Sequence, residues 1–222
     1  MVRDRTGSRR ARRPRGARAM TTATTATTAT ATTATATTAI DTIAANLAAL
    51  EQRVRVLTDR AEITGLIDGY LLSLDTVPRD GGRFDEAWAR RYFTPDVRIT
   101  TPVGDHEGID GLAESEQATL GKFERTQHVG ANHMIDLDGD RAAVRWNAVM
   151  AHVHLASTQR ARGEEPGGRF DVGGTFTGEA VRTPDGWRLR SLDVRAVWTS
   201  GRGPLVLTPK AGATLRDLAG GA

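Results

Sequence analysis

Apolar positions along the chain recur mostly at spacings of three and four in its first half and at two in its second. From Ile43 they recur as Leu47, Leu50, Val54 and Leu57, one stripe of an amphipathic helix. Asp59 with Glu62 three residues on has the form of a capping box, which predicts a second helix. Its apolar face is Ile63, Leu66, Ile67, Tyr70, Leu71 and Leu74, and it ends at Asp75. Pro78 and Gly81-Gly82 mark a loop. A short helix over 84–91 then precedes Tyr92-Phe93-Thr94-Pro95-Asp96, a turn into a strand over 97–101. Gly108 and Gly111 flank the start of another helix, running to Lys122. Beyond it the alternation is that of strands: 125–136, closed by Asp138-Gly139-Asp140, then 142–155, 169–182 and 186–198. Ser157–Gly168 reads as an exposed loop and Pro184-Asp185-Gly186 as a tight turn. Helices first, then a strand, a helix and an antiparallel meander predict an α+β fold.

The ends change this picture little. Residues 1–40, Arg-rich and then almost wholly Thr and Ala, are expected to form a disordered tail, residues 41–201 the folded domain, and residues 202–222 a flexible Gly-rich tail. No apolar core follows the basic run, so a secretory signal is not predicted, and no apolar run is long enough for a membrane span. A cytoplasmic protein without a membrane partner is the expectation. Residues 1–19 hold eight Arg against one Asp, more than the whole formal charge of +3, so the remainder is net acidic and no nucleic-acid partner is expected. The chain has no Cys, which excludes disulfides, thiolate metal sites and thiol nucleophiles.

Candidate chemistry collects on the strands. In the first strand of the meander, simple alternation puts His128, Asn132 and Met134 on one side and Val129, Ala131, His133 and Ile135 on the other. An imidazole and an amide on an inner face suit the lining of a cavity. Asp75 stands at a helix C-terminus, where the macrodipole disfavours an anion. Either it is a solvated helix end, or it bonds to His128, fixing the tautomer and stabilising the imidazolium for general acid–base work. Trp146, Met150, His152 and His154 share a face of the next strand. That set suits an apolar ligand pocket, with ordinary core packing as the alternative. His-x-His lacks a third ligand of any established motif, so no metal is expected. Thr175 and Thr177 share one face of the third strand with Phe176 on the other, and Gly173-Gly174 marks a bulge or strong curvature. His106, between Asp105 and Glu107, reads as a solvated turn residue.

Several segments carry a resemblance: Tyr70 to Asp75, Tyr92-Phe93-Thr94-Pro95-Asp96, Thr126-Gln127-His128, Asp138-Gly139-Asp140-Arg141-Ala142, Gly173-Gly174-Thr175-Phe176 and Asp185-Gly186-Trp187-Arg188. Over about Leu50 to Gly201 the chain resembles the SnoaL-like branch of the nuclear transport factor 2-like superfamily. The resemblance implies a cone-shaped α+β barrel in which a strongly bent, mixed or antiparallel sheet wraps the N-terminal helices. Thr126-Gln127-His128 and Trp198 look most like scytalone dehydratase, which eliminates water from a cyclic polyketide-derived substrate without a cofactor. Under that resemblance Asp75 matches the acid that orients a catalytic histidine, and His128 matches one of a histidine pair. Either His152 or His154 matches the other, and Thr175 and Thr177 match small polar binding residues. Two positions depart: the tyrosines that polarise the substrate carbonyl through water in that family are Leu74 and Thr101 here.

The function expected is therefore a lyase, isomerase or cyclase without a cofactor, acting on a small polyketide-like or alicyclic molecule. Asp75, His128 and His152 or His154 are its catalytic candidates. Tyr70, Asn132, Trp146, Met150, Thr175, Phe176 and Thr177 are its substrate-binding candidates. A non-catalytic domain that binds a small molecule in the same cone is the alternative, and a structural subunit of a ring-hydroxylating dioxygenase a further one. A homodimer or homotrimer is expected because an open sheet leaves one face to be covered.

Overall fold

The computed structural model describes residues 20–204, and of residues 20–34 and Pro78 only the backbone. The expected tails at 1–19 and 205–222 lie outside the described residues. Helix α1 spans Met20–Arg79. The chain divides into two units, Met1–Val54 and Arg55–Ala222.

In the first unit the described residues are helical throughout. Two expectations change here. Residues 20–40, expected within a disordered tail, are helical as part of α1 although Thr, a weak helix former, outnumbers Ala there. The stripe begun by Ile43, Leu47, Leu50 and Val54 is more than half exposed at every position. Amphipathic period alone does not bury a face; something must cover it.

In the second unit the helix continues without a break, so Asp59 is not a cap. It is a buried carboxylate that accepts a hydrogen bond from the Arg182 guanidinium at 2.5 Å, and Arg182 in turn lies over the Trp187 ring. Ile63, Ile67, Tyr70, Leu71 and Leu74 are almost fully buried in the core. Their spacing of four, three, one and three residues keeps them on one helical face. Each fully buried Ile or Leu contributes about 2 kcal/mol from apolar area removed from water.

After α1 come α2 (Glu86–Tyr92), β1 (Phe93–Thr101), β2 (Gly104–Glu107), α3 (Leu112–Leu120), β3 (Phe123–Asp138), β4 (Arg141–His154), α4 (Ala156–Ala161), β5 (Arg169–Thr183) and β6 (Gly186–Gly201). Asp85 caps α2 by accepting a hydrogen bond from the Trp88 amide at 2.7 Å. The short strand β2 and the single-turn helix α4 replace segments expected as turn and loop. The six strands form one sheet in the order β2-β1-β6-β5-β4-β3. β1 pairs with β6 in parallel and every other pair is antiparallel. The α+β fold with its mixed sheet is as expected, but among the described residues the barrel is not closed, and β2 and β3 are the outermost strands of the sheet.

Register decides which side chains share a face. Trp146 pairs with Phe176 and His152 with Phe170, so even-numbered residues of β4 and β5 point to the core. Trp146 is fully buried and stacks on Phe176 at 5.0 Å. Thr175 pairs with Asn147 and Thr177 with Arg145, both on the opposite face. On that outer face Gly173 makes room for Trp198, whose indole a Cβ at Gly173 would strike.

Candidate active site

The last turns of α1 and the first half of β3 meet at Asp75 and His128. Leu71 and Leu74 anchor the helix in the core, and Asp75 follows at 12% side-chain exposure against a His128 ring at 4%. The His128 Nδ1 lies 2.7 Å from Asp75 Oδ1, and the His128 backbone amide donates to Asp75 Oδ2 at 2.8 Å. The Thr126 hydroxyl donates to Asp75 Oδ1 at 2.9 Å. Burial alone would raise this carboxyl. The hydrogen bonds from the His128 ring and amide, the attraction of that ring and the Thr126 hydroxyl together hold it below the ordinary carboxylate range. An ionised carboxylate only accepts, so Nδ1 of His128 carries the proton and Nε2 presents a lone pair.

The second histidine is His152. Its ring centroid lies 5.4 Å from that of His128, edge to face. Its Nδ1 is 2.9 Å from the Phe170 carbonyl oxygen, which can only accept, so Nε2 again holds the lone pair. Burial first, then the neighbouring His128, lowers its pKa to about 4. His152 is thus neutral near pH 7 and offers an acceptor at Nε2. His154 is buried at the strand end with Nε2 donating to the Arg202 carbonyl at 2.7 Å, a structural role away from the pair.

A cavity of about 330 Å³ is lined by the register partners of the two histidines, Met150 opposite His128 and Phe170 opposite His152, but not by Asp75, His128 or His152 themselves. Ile99, Leu112, Val172 and Val194 add apolar wall. His106, Glu116, Thr119 and Lys122 form a polar side, contributed by β2, α3 and the turn after it. Burial pushes the Glu116 carboxyl up to about 7. His106 is not solvated: its Nε2 is buried and has no hydrogen-bond partner among the described residues.

Other expected binding residues fall elsewhere. Asn132 is exposed, with φ of 60° in a bulge where the β3–β4 register shifts between Ala131 and Met134. The bulge reverses the alternation, so His133 and Ile135 turn inward while Met134 is 64% exposed. His133 then reaches Asp68 at 3.2 Å. Thr175 and Thr177 sit on the outer face for the register reason given above. Trp146 and Phe176 fill the core rather than line the cavity, and Tyr70 packs edge-on against Phe93 at 5.2 Å in an aromatic cluster with Trp88 and Tyr92. Of the binding candidates, Met150 alone lines the cavity. Glu116 and His106 went unnoticed as site residues. Glu116 had a signal: with Leu112 and Leu120 it follows i, i+4, i+8, which puts an acid on the apolar face of its helix. Among the described residues no group of three or more His, Asp or Glu is placed to hold a metal.

An open mixed sheet packed on a long helix, with an Asp–His pair at its polar edge, defines a class of α+β pocket proteins. Residues 55–193 match the family model of the SnoaL-like domain, and the chain belongs to that family. It is 30% identical over 141 residues to the uncharacterized protein Rv2910c of Mycobacterium tuberculosis, an alignment covering 61% of this chain and 84% of that one. The crystal structure of the Kfla4162 protein from Kribbella flavida is similar at 28% identity and a TM-score of 0.56, covering 65% of this chain and 95% of that one. A candidate scytalone dehydratase from Novosphingobium aromaticivorans shares the fold at 19% identity and a TM-score of 0.55, covering 71% and 97%. No helix among the described residues is long and apolar enough to cross a membrane.

Proposed function

We propose that the protein is a lyase or isomerase that moves a proton α to a carbonyl on a small alicyclic or polyketide-like substrate, without a cofactor. The observation that carries this reading is the Asp75–His128–His152 arrangement: two imidazoles, each tied at Nδ1, whose register partners Met150 and Phe170 line an apolar cavity. In the elimination form of the reaction, His128 Nε2 takes the proton from the carbon between the carbonyl and a β-hydroxyl. Asp75 stabilises the imidazolium. The C–O bond to the hydroxyl then breaks, and the imidazolium returns its proton to the departing oxygen, which leaves as water. His152, neutral, accepts a hydrogen bond from that hydroxyl and orients it. Without a β-hydroxyl, return of the proton to a different carbon gives an isomerase. The family and the dehydratase among its structural relatives agree with this class of chemistry.

The test is turnover of 3-hydroxy-1-tetralone, a bicyclic β-hydroxy ketone, followed by the ultraviolet absorption of the naphthol produced. Conversion by the wild type and its loss in His128→Ala would support the proposal. Tight binding of this and related ketones without conversion would mark a small-molecule-binding domain instead. We also propose a homodimer or homotrimer joined through the outer sheet face, where Val129, Val149 and Trp198 lie exposed across neighbouring strands. Sedimentation as a monomer at micromolar concentration would refute it.

A further inference from the structure

We propose that Glu116 on α3, with His106 on β2, is the recognition pole of the cavity, where the protonated Glu116 carboxyl donates a hydrogen bond to the carbonyl oxygen of a neutral substrate. This rests on the proton-transfer reading of the site and names the group that makes that chemistry possible.

Removing a proton α to a carbonyl places negative charge on the carbonyl oxygen, and an enzyme must supply a donor there. The histidine pair supplies none. Asp75 is an anion, His152 offers a lone pair, and the Nδ1 protons of both rings are already committed to Asp75 and to the Phe170 carbonyl. The polar groups on the cavity wall come instead from β2 and α3. No hydrogen bond or ion pair engages the Glu116 carboxyl among the described residues, although it lines the cavity and nearby Tyr70 senses its charge. His106 lines the same wall with its Nε2 buried and unpartnered. Buried polar atoms in folded proteins are overwhelmingly hydrogen-bonded, so the orphaned His106 Nε2, on a cavity also lined by the half-buried and unpartnered Glu116 carboxyl, points to a ligand that completes them. Because burial lifts the Glu116 pKa to about 7, a large share of the carboxyl stays protonated near neutrality and can donate. A buried carboxylic acid kept neutral is an effective donor to an oxyanion in other proton-transfer enzymes. The same wall disfavours a substrate with a carboxylate at this end, since ionised Glu116 and the anion would repel. The rim cation Lys122 and the acid Asp105 also border the cavity.

The test uses the full chain with 1-tetralone labelled with carbon-13 at its carbonyl, and with tetralin-1-carboxylate as its charged analogue. Calorimetry gives affinities, and the carbonyl resonance reports polarisation. The wild type is expected to bind the ketone about 10-fold more tightly than the carboxylate and to move the carbonyl signal downfield. Glu116→Ala should weaken ketone binding about 10-fold and abolish the shift, whereas Glu116→Gln, still a donor, stays within about 3-fold. Glu116→Leu serves the same purpose if the alanine variant does not fold. Ketone affinity and shift unchanged in Glu116→Ala or Glu116→Leu would overturn the proposal, as would tighter binding of the carboxylate or no saturable ketone binding at millimolar concentration. His128→Ala separates the two readings. It should abolish turnover while keeping the shift, and a Glu116-dependent shift in an inactive wild type would sink the enzyme and leave the recognition pole standing.

Discussion

Two carboxylates of the domain sit on helices, Asp75 in the last turns of α1 and Glu116 in the middle of α3, and their surroundings drive them in opposite directions. Both are desolvated. Asp75 receives hydrogen bonds from the His128 ring, the His128 amide and the Thr126 hydroxyl, and it stays ionised. Glu116 receives none among the described residues and is pushed up to about 7. Burial alone therefore does not set the charge of an acid; the donors that accompany it do. The anion is equipped to hold an imidazole and the neutral acid to hold a substrate oxygen, which makes the pair a division of labour open to direct attack.

The largest effect should come from removing the anion. Asp75→Asn keeps the size of the side chain but cannot stabilise an imidazolium, and its amide competes to donate towards Nδ1. Turnover of 3-hydroxy-1-tetralone should fall by about 10³-fold. A variant retaining more than a tenth of wild-type kcat would mean that the bond between Asp75 and His128 is structural.

Glu116 should behave in the reverse sense. Its folded pKa is above the ordinary value of 4.5, so the folded state holds a proton that the unfolded state gives up, and stability declines as pH rises from 4.5 through 7. Glu116→Gln removes this penalty. Urea unfolding should find it about 3 kcal/mol more stable than the wild type at pH 8, with the difference fading below pH 5. Equal stabilities at pH 8 would show that Glu116 is solvated.

His152 supplies the basic counterpart. Its pKa is lowered from the ordinary 6.5 to about 4, so the unfolded state takes up a proton first, and the stability it contributes is present above 6.5 and lost as pH falls towards 4. His152→Gln should flatten the acid limb of the stability profile by roughly 3 kcal/mol. Nitrogen-15 spectra should show His152 neutral, with the proton on Nδ1, at pH 6. A charged ring at that pH would make it a proton donor rather than an acceptor.

Much of this was legible in the sequence where one periodicity held over a whole element. The apolar face from Ile63 to Leu74, the meander and the α+β order follow from spacing, and Asp75 and His128 stood out because each was an ill-fitting residue in its local pattern. What failed had a nonlocal cause. The bulge at Asn132 reversed the face of β3 halfway along, and the only local hint was that Asn tolerates positive φ better than most residues. Thr175 and Thr177 were misplaced because faces on β5 can be assigned only once its pairing with β4 is known. Asp59 looked like a cap because its partner, Arg182, lies 123 residues away. His106 looked solvated because β2 is a strand only through its pairing with β1.

The finest test of the contrast between the two acids is Thr126→Val. It leaves the histidine contacts of Asp75 intact and deletes one donor of similar shape, moving Asp75 a step towards the condition of Glu116. The lost bond is between a hydroxyl and a charged group on a mostly buried acid, so the variant should be about 1 kcal/mol less stable at pH 7. The Asp75 pKa should rise, because one of the hydrogen bonds lowering it is gone. Stability held by a depressed carboxylate is present above its unfolded pKa and lost as pH falls through the folded one, so the deficit should shrink in acid. It should be largest at pH 7 and smaller at the acid end of the profile. If the deficit were the same at both, Thr126 would contribute by packing alone, and the low pKa of Asp75 would belong entirely to His128.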